Sequence, residues 1–293
     1  MNSREEGFLL LTSHLGNPNR RPLTVAQLRE LERCVRRSKR IAQDRDMLPD
    51  DLVAIGCSEE TATRVVALLD EQMLLQSYIE QGRASGCVPL SRVSLGYPRR
   101  LSQCLQEEAP GCIWCKGDRT LLEKSAVALV GSRDLSANNA EFAQRVGELS
   151  ALYGLTLISG NARGADTVAQ ESCLNAGGDV ICVVADSLER KSPQEHVLYV
   201  SEEGFDLPFH AQRALSRNRL IHSMAAATFV AQCSNGSGGT WDGTRRNLRR
   251  GWSDVYCLRD GSAASARLYQ MGARLVNTPE LLPIFENLAA GFS

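Results

Sequence analysis

Two stretches decide the fold class of this chain: AVALVGSRDLS at 126–136 and LTLISGNARGAD at 155–166. Each begins with an apolar run of strand length, reaches a glycine beside a serine, and leads into a helical pattern, at 137–153 and 163–176. A short apolar run bounded by turn residues is typical of a strand that is buried on both faces, as in a parallel sheet. The two stretches therefore predict successive strand–turn–helix units of an α/β fold.

The same alternation continues to the end of the chain. Further strands are predicted at 179–186, 197–203, 227–233, 254–258 and 273–276, and an earlier one at 112–117. Helices are predicted at 217–227, 241–251 and 262–272. Apolar strands that alternate with helices predict a doubly wound, mostly parallel sheet with helices on both faces.

Residues 1–87 are predicted to form a small helical N-terminal domain. Thr24 can cap a helix over 25–42, and Ser58 can cap another over 59–82. The first of these helices has a basic face, which is either a solvated surface or a contact for DNA or a partner, formed by Arg29, Arg33, Arg36, Arg37, Lys39 and Arg40. The second predicted domain covers 88–293, with 88–125 as a lead-in segment.

Composition excludes several classes of protein. The 293 residues are 43% hydrophobic and 23% charged, and the net charge is -1, which excludes a disordered chain and a uniformly basic DNA-coating protein. No apolar run reaches the length of a membrane span, and the N-terminus lacks a signal-peptide pattern, so we expect a cytoplasmic protein without a membrane contact. The ten cysteines are expected to be reduced, and no metal site is expected. Cys112 and Cys115 lie in a predicted strand, which would turn their thiols to opposite faces.

Small, hydroxyl-bearing and basic residues follow the predicted strands or begin the helices beside them. In an open parallel sheet, ligands bind beyond the carboxyl ends of the strands. The candidate phosphate-binding residues are Gly131, Ser132, Arg133, Ser136, Ser159, Gly160, Arg163, Gly164, Asp166, Arg217, Asn218, Arg219, Gly238, Gly239 and Thr240.

These residue types suit an anionic ligand. Glycine lets the backbone approach a ligand, free N–H groups at a helix start attract anions, and arginine binds phosphate oxygens with two hydrogen bonds. Between Phe209 and Trp252 there are seven arginines and one acid, a local net charge of +6. The sequence contains neither GxxxxGK[ST] nor GxGxxG, so no nucleotide cofactor is expected.

Catalytic groups are sparse, and the sequence favours a binding protein over an enzyme. Asp166 can serve as a base, bind a ribose hydroxyl, or cap the helix and orient Arg163, and the last role is favoured. The candidates for base stacking are Tyr153, Phe209, Phe229, Trp241 and Trp252. Trp241 is favoured among them because it follows a glycine-rich loop.

Several segments resemble the DNA-processing protein A family, also called DprA or Smf. They are Tyr97-Pro98 with Leu101, Lys116-Gly117-Asp118, VALVGSRDLS (127–136), LISGNARGAD (157–166), Gly177-Gly178, SEE (201–203) and SRNRLIHSM (216–224). The resemblance implies a helical N-terminal domain and an extended Rossmann-like domain. It also implies binding of single-stranded DNA, usually as a dimer and without hydrolysis, and assistance in loading the RecA recombinase during natural transformation.

The resemblance also implies roles for individual residues. Arg133 and Arg163 should contact DNA phosphates. Asn218 and Arg219 should line the far side of the pocket. The pocket itself should be shaped by Gly131, Ser132, Ser159, Gly160 and Gly164.

The chain departs from the family pattern in three places: Ala165-Asp166 stands where the family usually has Ile-Asp, Gln170 stands where it usually has His, and the segment at 237–244 differs. SGGTWDGT (237–244) is similar to the glycine-rich motif of LOG-like phosphoribohydrolases, but the catalytic glutamate of that motif is absent, and Arg246 or Asn247 stands nearby. This similarity leaves open an alternative function, a nucleotide sensor or nucleotide-processing enzyme. A scaffolding module is a third possibility, although it leaves the converging arginines unexplained.

Overall fold

The N-terminal region is helical, as expected. The computed structural model describes residues 1–38 and 47–291. The first five helices are α1 (Ser3–Thr12), α2 (Val25–Arg37), α3 (Pro49–Val53), α4 (Glu59–Leu69) and α5 (Gln72–Ala84). The side chains of Thr24 and Ser58 cap α2 and α4, as their positions predict. The remainder of the helix predicted over 25–42, with Lys39 and Arg40, lies outside the described residues.

One nine-stranded sheet forms the centre of the molecule. Its strands are β1 (Val88–Ser91), β2 (Cys112–Gly117), β3 (Ala126–Val130), β4 (Thr156–Ser159), β5 (Val180–Val183), β6 (Val197–Ser201), β7 (Ala227–Val230), β8 (Asp254–Leu258) and β9 (Arg274–Val276). Their spatial order is β1-β2-β6-β5-β4-β3-β7-β8-β9. Strands β3 to β9 pair in parallel, and β1 and β2 add two antiparallel pairings at one edge. The predicted α/β, doubly wound and mostly parallel architecture is therefore confirmed.

Helices cover both faces of this sheet. They are α6 (Arg99–Leu105), α7 (Ala137–Leu152), α8 (Ala165–Asn175), α9 (Ala211–Ser216), α10 (Asn218–Met224), α11 (Gly239–Arg250), α12 (Ala263–Gln270) and α13 (Leu281–Ala290). Val127 and Leu129 of β3 pack into the core under α7, α8 and α13, whereas Ala128 and Val130 pack into the core under α10, α11 and α12. Alternate side chains of a strand point to opposite faces, which explains the continuous apolar runs in the sequence.

The helical region packs directly on the sheet. Leu10 of α1 and Tyr78 of α5 share a core with Trp114 and Phe205, while a separate apolar cluster joins α2, α3 and α4. The division into domains at residue 87 stays a prediction. Within the described residues, no helix is long and apolar enough to cross a membrane.

Two predicted elements differ in the structure, whereas the expectation for the cysteines is confirmed. The helix predicted over 59–82 is two helices, because the chain turns at Asp70 and Glu71 between α4 and α5. The predicted lead-in segment contains β1 and α6. Cys112 and Cys115 do face opposite cores, and all ten cysteines are free.

Candidate functional site

A cleft of about 440 Å³ opens beyond the carboxyl ends of β3 and β7. The parallel strands run outward in both directions from β3, so its boundary with β7 is the point where the strand order reverses. Ligand sites in open α/β sheets form at such a point because neighbouring loops diverge there. The loop after β3, the start of α10 and the loop before α11 line the cleft.

The structure places nine of the predicted residues in the cleft wall: Gly131, Ser132, Arg133, Asp166, Arg217, Asn218, Gly238, Gly239 and Thr240. Six others lie outside the wall: Ser136, Ser159, Gly160, Arg163, Gly164 and Arg219. The loops that carry the predicted phosphate-binding residues therefore do meet at one cleft. The predicted convergence does not hold for every side chain within them.

Arg133 extends from the loop after β3. The N–H of Ala165 donates to the Ser132 carbonyl at 3.1 Å, and this bond ties the loop to the start of α8. Gly164 has φ +92, and a Cβ there would collide with the Arg133 carbonyl, so only glycine fits this close crossing. Arg133 itself is exposed, and none of the described acids forms an ion pair with it. Its guanidinium is therefore available to an anion.

The N-terminus of α11 forms the opposite wall. Gly238 precedes the helix with φ +88, and Gly239 and Thr240 begin it. The Thr240 hydroxyl donates to the Gly131 carbonyl at 2.9 Å, and the Asn218 amide donates to the Gly239 carbonyl at 3.0 Å. These bonds hold three cleft segments together. Because first-turn N–H groups have no acceptor inside a helix, this wall presents donors and a partial positive charge.

A buried Asp166 organises the loop after β4. Its carboxylate accepts hydrogen bonds from the N–H groups of Gly160 at 3.0 Å and Ala162 at 3.2 Å. Burial raises the pKa of Asp166, although the nearby Arg217 charge opposes the shift. Arg217 donates to the Gly160 carbonyl at 3.0 Å, and burial lowers its pKa. The expectation that Asp166 orients Arg163 is wrong, because its carboxylate oxygen turns back to the loop backbone.

Arg163 and Arg219 are engaged elsewhere. Arg163 pairs with Asp134 at 2.7 Å, and both side chains are largely exposed. The Arg219 guanidinium forms an ion pair with Glu202 and points away from the cleft, so it does not line the far side as expected. Asn218 and Arg219 are neighbours in α10, and neighbouring residues in a helix point in different directions, so only Asn218 faces the cleft.

The local charge of +6 is partly compensated by the fold. Four of the seven arginines form ion pairs with acids: Arg213 with Glu203, Arg219 with Glu202, Arg245 with Asp242 and Arg250 with Glu108. Three of these four acids lie outside the 209–252 segment. Charge counted along the sequence therefore overstates the field at this surface.

Two predicted serines have structural roles. Ser136 caps α7 by accepting from the Asn139 N–H at 3.4 Å. Ser159 is fully buried, and its hydroxyl accepts a hydrogen bond from the Gln170 amide. Gly160 supports the cleft indirectly, because a side chain at this position would displace the Arg217 guanidinium.

The prediction that Trp241 is available for base stacking is wrong. Trp241 is only 3% exposed and packs in the core, so it is unavailable for stacking. Phe209 is 58% exposed and lines the cleft. His222 also lines it and is absent from the predicted site, although it lies four residues after Asn218, on the same face of α10.

The structure gives little support to a nucleotide-processing enzyme at the segment that suggested it, SGGTWDGT (237–244). Asn247 is fully buried and donates from its amide to the Ser253 hydroxyl at 2.8 Å, and Arg246 is exposed. Neither residue supplies a carboxylate. Within 1–38 and 47–291, no group of three or more His, Cys, Asp or Glu residues could hold a metal ion.

Comparisons with known proteins identify the relatives of this chain. Protein Smf from Escherichia coli is 31% identical over 198 residues, which cover 62% of this chain and 52% of that protein. The chain thus spans about half the length of this relative. DNA processing protein DprA from Streptococcus pneumoniae is 32% identical over 210 residues, which cover 65% of this chain and 71% of that protein.

Solved structures show the same fold. The X-ray structure of DprA from Streptococcus pneumoniae matches with a TM-score of 0.71 and 25% identity, covering 96% of this chain and 97% of that chain. A DprA structure from Helicobacter pylori, described for its single-stranded DNA binding mode, matches with a TM-score of 0.58 and 20% identity, covering 69% and 96%.

A protein-family model for DNA recombination-mediator protein A matches residues 90–283, which is well over half of the chain and includes every strand from β2 to β9. The chain therefore belongs to the DNA recombination-mediator protein A family, also named DprA or Smf.

Proposed function

We propose that this protein binds single-stranded DNA in the cleft and protects it for recombination or natural transformation. The observation that carries the proposal is the pairing of an unengaged Arg133 with the N-terminus of α11 across one cleft. Both groups bind phosphate oxygens, and neither reads a base sequence. Family membership supports the choice of DNA as the ligand, and the Helicobacter pylori relative is described as binding single strands.

The remaining parts of the proposal come from the family resemblance. We expect a cytoplasmic homodimer that passes its strand to RecA and does not hydrolyse it. Phe209 and the apolar side chains beside it give the cleft a surface for a base. Proteins that bind single strands without sequence preference combine such a stacking surface with a positively charged groove that follows the phosphate backbone of the DNA.

Strand length distinguishes a polymer from a free nucleotide. We expect affinity for labelled oligothymidylates to rise from one to about 16 nucleotides, because one binding module covers about 4–16 nucleotides. It should also fall as salt is increased. Fluorescence anisotropy at several salt concentrations measures both effects. Affinity that saturates with thymidine monophosphate would instead favour the nucleotide-sensor alternative.

Asp134 is expected to weaken binding in the wild-type protein. Asp134→Asn removes a negative charge beside the cleft and frees Arg163, so we expect about two- to fivefold tighter binding at low salt, on the scale of an exposed charge interaction. Glu80→Gln is the matched control, because it removes an exposed acid from α5. Equal effects of the two substitutions would show a response to net charge alone and contradict the local role.

A further inference from the structure

The cleft is too small to hold a whole single strand. Its volume of about 440 Å³ is near the lower end of the range for small-molecule sites, so it has room for about one or two nucleotides. One module that binds single strands usually covers about 4–16 nucleotides. The phosphates outside the cleft therefore need another basic surface. Helix α11 leads away from the cleft, because its N-terminus forms one of the cleft walls.

The exposed face of α11 is basic. Arg246, Arg249 and Arg250 are exposed, and their spacing of three and four residues places them on one side of the helix. Arg250 pairs with Glu108 at 3.1 Å, whereas none of the described acids pairs with Arg246 or Arg249. At 1.5 Å per residue the helix is about 18 Å long, so its C-terminal end carries this charge well beyond the cleft.

A short 3₁₀ turn at Gln106–Glu108 joins α11 to the N-terminal helices. Glu108 pairs with Arg250 of α11, and the neighbouring Glu107 forms an ion pair with Arg29 of α2. Two adjacent residues of one turn therefore contact the C-terminal end of α11 and the first half of α2. These two parts of the chain consequently lie next to each other on the surface.

Helix α2 continues the basic surface. Arg33 and Arg36 follow Arg29 by four and seven residues, so the three side chains share the side of α2 that faces the turn. Leu31 and Cys34 are buried on the other side of the helix. Arg33 and Arg36 are exposed, and neither pairs with an acid in the described part of the chain. The exposed arginines of the two helices together form a basic band: Arg246, Arg249, Arg250, Arg29, Arg33 and Arg36.

Repulsion makes the basic band costly to maintain. Within each helix its charges stand three or four residues apart, a spacing at which like charges destabilise the helix. The two acids of α2 are engaged with other partners. Glu30 accepts a hydrogen bond from the Ser58 N–H at 2.6 Å, and Glu32 pairs with Arg92 at 3.6 Å. A bound polyanion would remove this repulsion, which a merely solvated face would retain.

We propose that a single strand leaving the cleft continues along the basic band, so that its phosphates contact α11 first and α2 next. This inference rests on the proposed binding of single-stranded DNA, and it gives the N-terminal helices a direct part in that binding. Guanidinium groups bind phosphate oxygens and hold the backbone without reading a base sequence. A strand suits the band better than an acidic protein does, because the band begins on the helix whose N-terminus forms the cleft wall.

Oligothymidylates of about 4, 8, 12 and 16 nucleotides test the order of these contacts. Arg246→Ala/Arg249→Ala removes two charges from α11, and Arg33→Ala/Arg36→Ala removes two from α2. Each pair should weaken binding of the longest strand about three- to tenfold, on the scale of two exposed charge interactions, and leave the shortest strand within about twofold. The loss should appear at a shorter strand length for the α11 pair than for the α2 pair. The salt slope for the longest strand should fall by about 1.4 in each variant, for two phosphate contacts.

Arg83→Ala/Arg119→Ala is the matched control. Both arginines are exposed, lie outside the basic band and form no ion pair with a described acid. An equal loss in this control would show a response to net charge alone and overturn the inference. An α2 pair that weakens all four strands equally would also overturn it. Length-dependent binding that neither band pair changes would overturn it as well, and would leave an acidic protein as the partner of the band.

The acids of the connecting turn provide an independent variant. Glu107→Gln/Glu108→Gln removes two negative charges beside the basic band and frees the arginines that they hold. We expect about two- to fivefold tighter binding of the longest strand at low salt and no change for the shortest. Glu80→Gln/Glu123→Gln, which removes two exposed acids elsewhere, is the control. No gain for the longest strand, or an equal gain in the control, would contradict a strand that passes this turn.

The same titrations separate this inference from the proposed function. Arg133→Ala should weaken binding of every strand, because Arg133 lies in the cleft. Wild-type protein that binds none of the strands would refute the proposed function, and the inference with it. Losses in Arg133→Ala without any loss in the two band pairs would refute the route along the basic band alone and leave the cleft as the binding site.

Discussion

We expect Arg133→Ala to bind single-stranded DNA about 10- to 100-fold more weakly than the wild-type protein at physiological salt. Arg133 is exposed, lines the cleft and forms no ion pair with the described acids, so its guanidinium is free to bind phosphate. A hydrogen bond to a charged group contributes about 1.5–3 kcal/mol, which corresponds to this range. Stability should change little, because few interactions of the folded protein are lost. Anisotropy titrations and thermal unfolding measure the two quantities.

Salt dependence separates a phosphate contact from a general loss of structure. Each phosphate contact with a single strand contributes about 0.7 to the slope of log affinity against log salt, so the slope should fall by about this amount in Arg133→Ala. Arg133→Lys should recover part of the affinity, since lysine keeps the charge and loses the two-pronged geometry. Arg83→Ala, an exposed arginine of α5, is the control. Unchanged affinity and slope in Arg133→Ala would refute binding through this cleft.

The parallel part of the sheet could be predicted because its strands are buried on both faces. Such strands are apolar throughout and are separated by turn residues, so each appears in the sequence as a separate run. Strand β1 could not be found this way. It contains Pro89 and lies at the sheet edge, where proline is tolerated, and its pairing with β2 depends on tertiary contact. Helix α9 has six residues and is too short for a periodic pattern.

The position of the candidate site followed from topology, whereas individual side-chain directions did not. Loops after parallel strands meet at one edge, which brought Arg133 and Thr240 together. Whether an arginine is free depends on acids from distant segments, as Arg219 and Glu202 show. Burial of Trp241 likewise depends on how α11 packs against the sheet. A local sequence window contains neither kind of information.

His222 should also make the stability of the protein sensitive to acid. Its pKa is lowered from 6.5 to about 3 in the folded state by burial, so the unfolded chain binds a proton more readily. The contribution of the neutral His222 side chain to the free energy of unfolding is fully present above pH 6.5 and is lost as the pH falls from 6.5 toward 3. Between pH 7.5 and pH 5 the free energy of unfolding should decrease by about 2 kcal/mol from this source, at about 1.4 kcal/mol per pH unit below 6.5.

Denaturant unfolding at a series of pH values measures this dependence. His222→Asn and His222→Gln cannot be protonated, so both should lose about 2 kcal/mol less than the wild-type protein over the same interval. Each variant is expected to be less stable than the wild-type protein at pH 7.5, because it fills the buried site less well, and the difference should narrow as the pH falls. Parallel stability curves for the wild-type protein and both variants would show that the imidazole takes up its proton in the folded state.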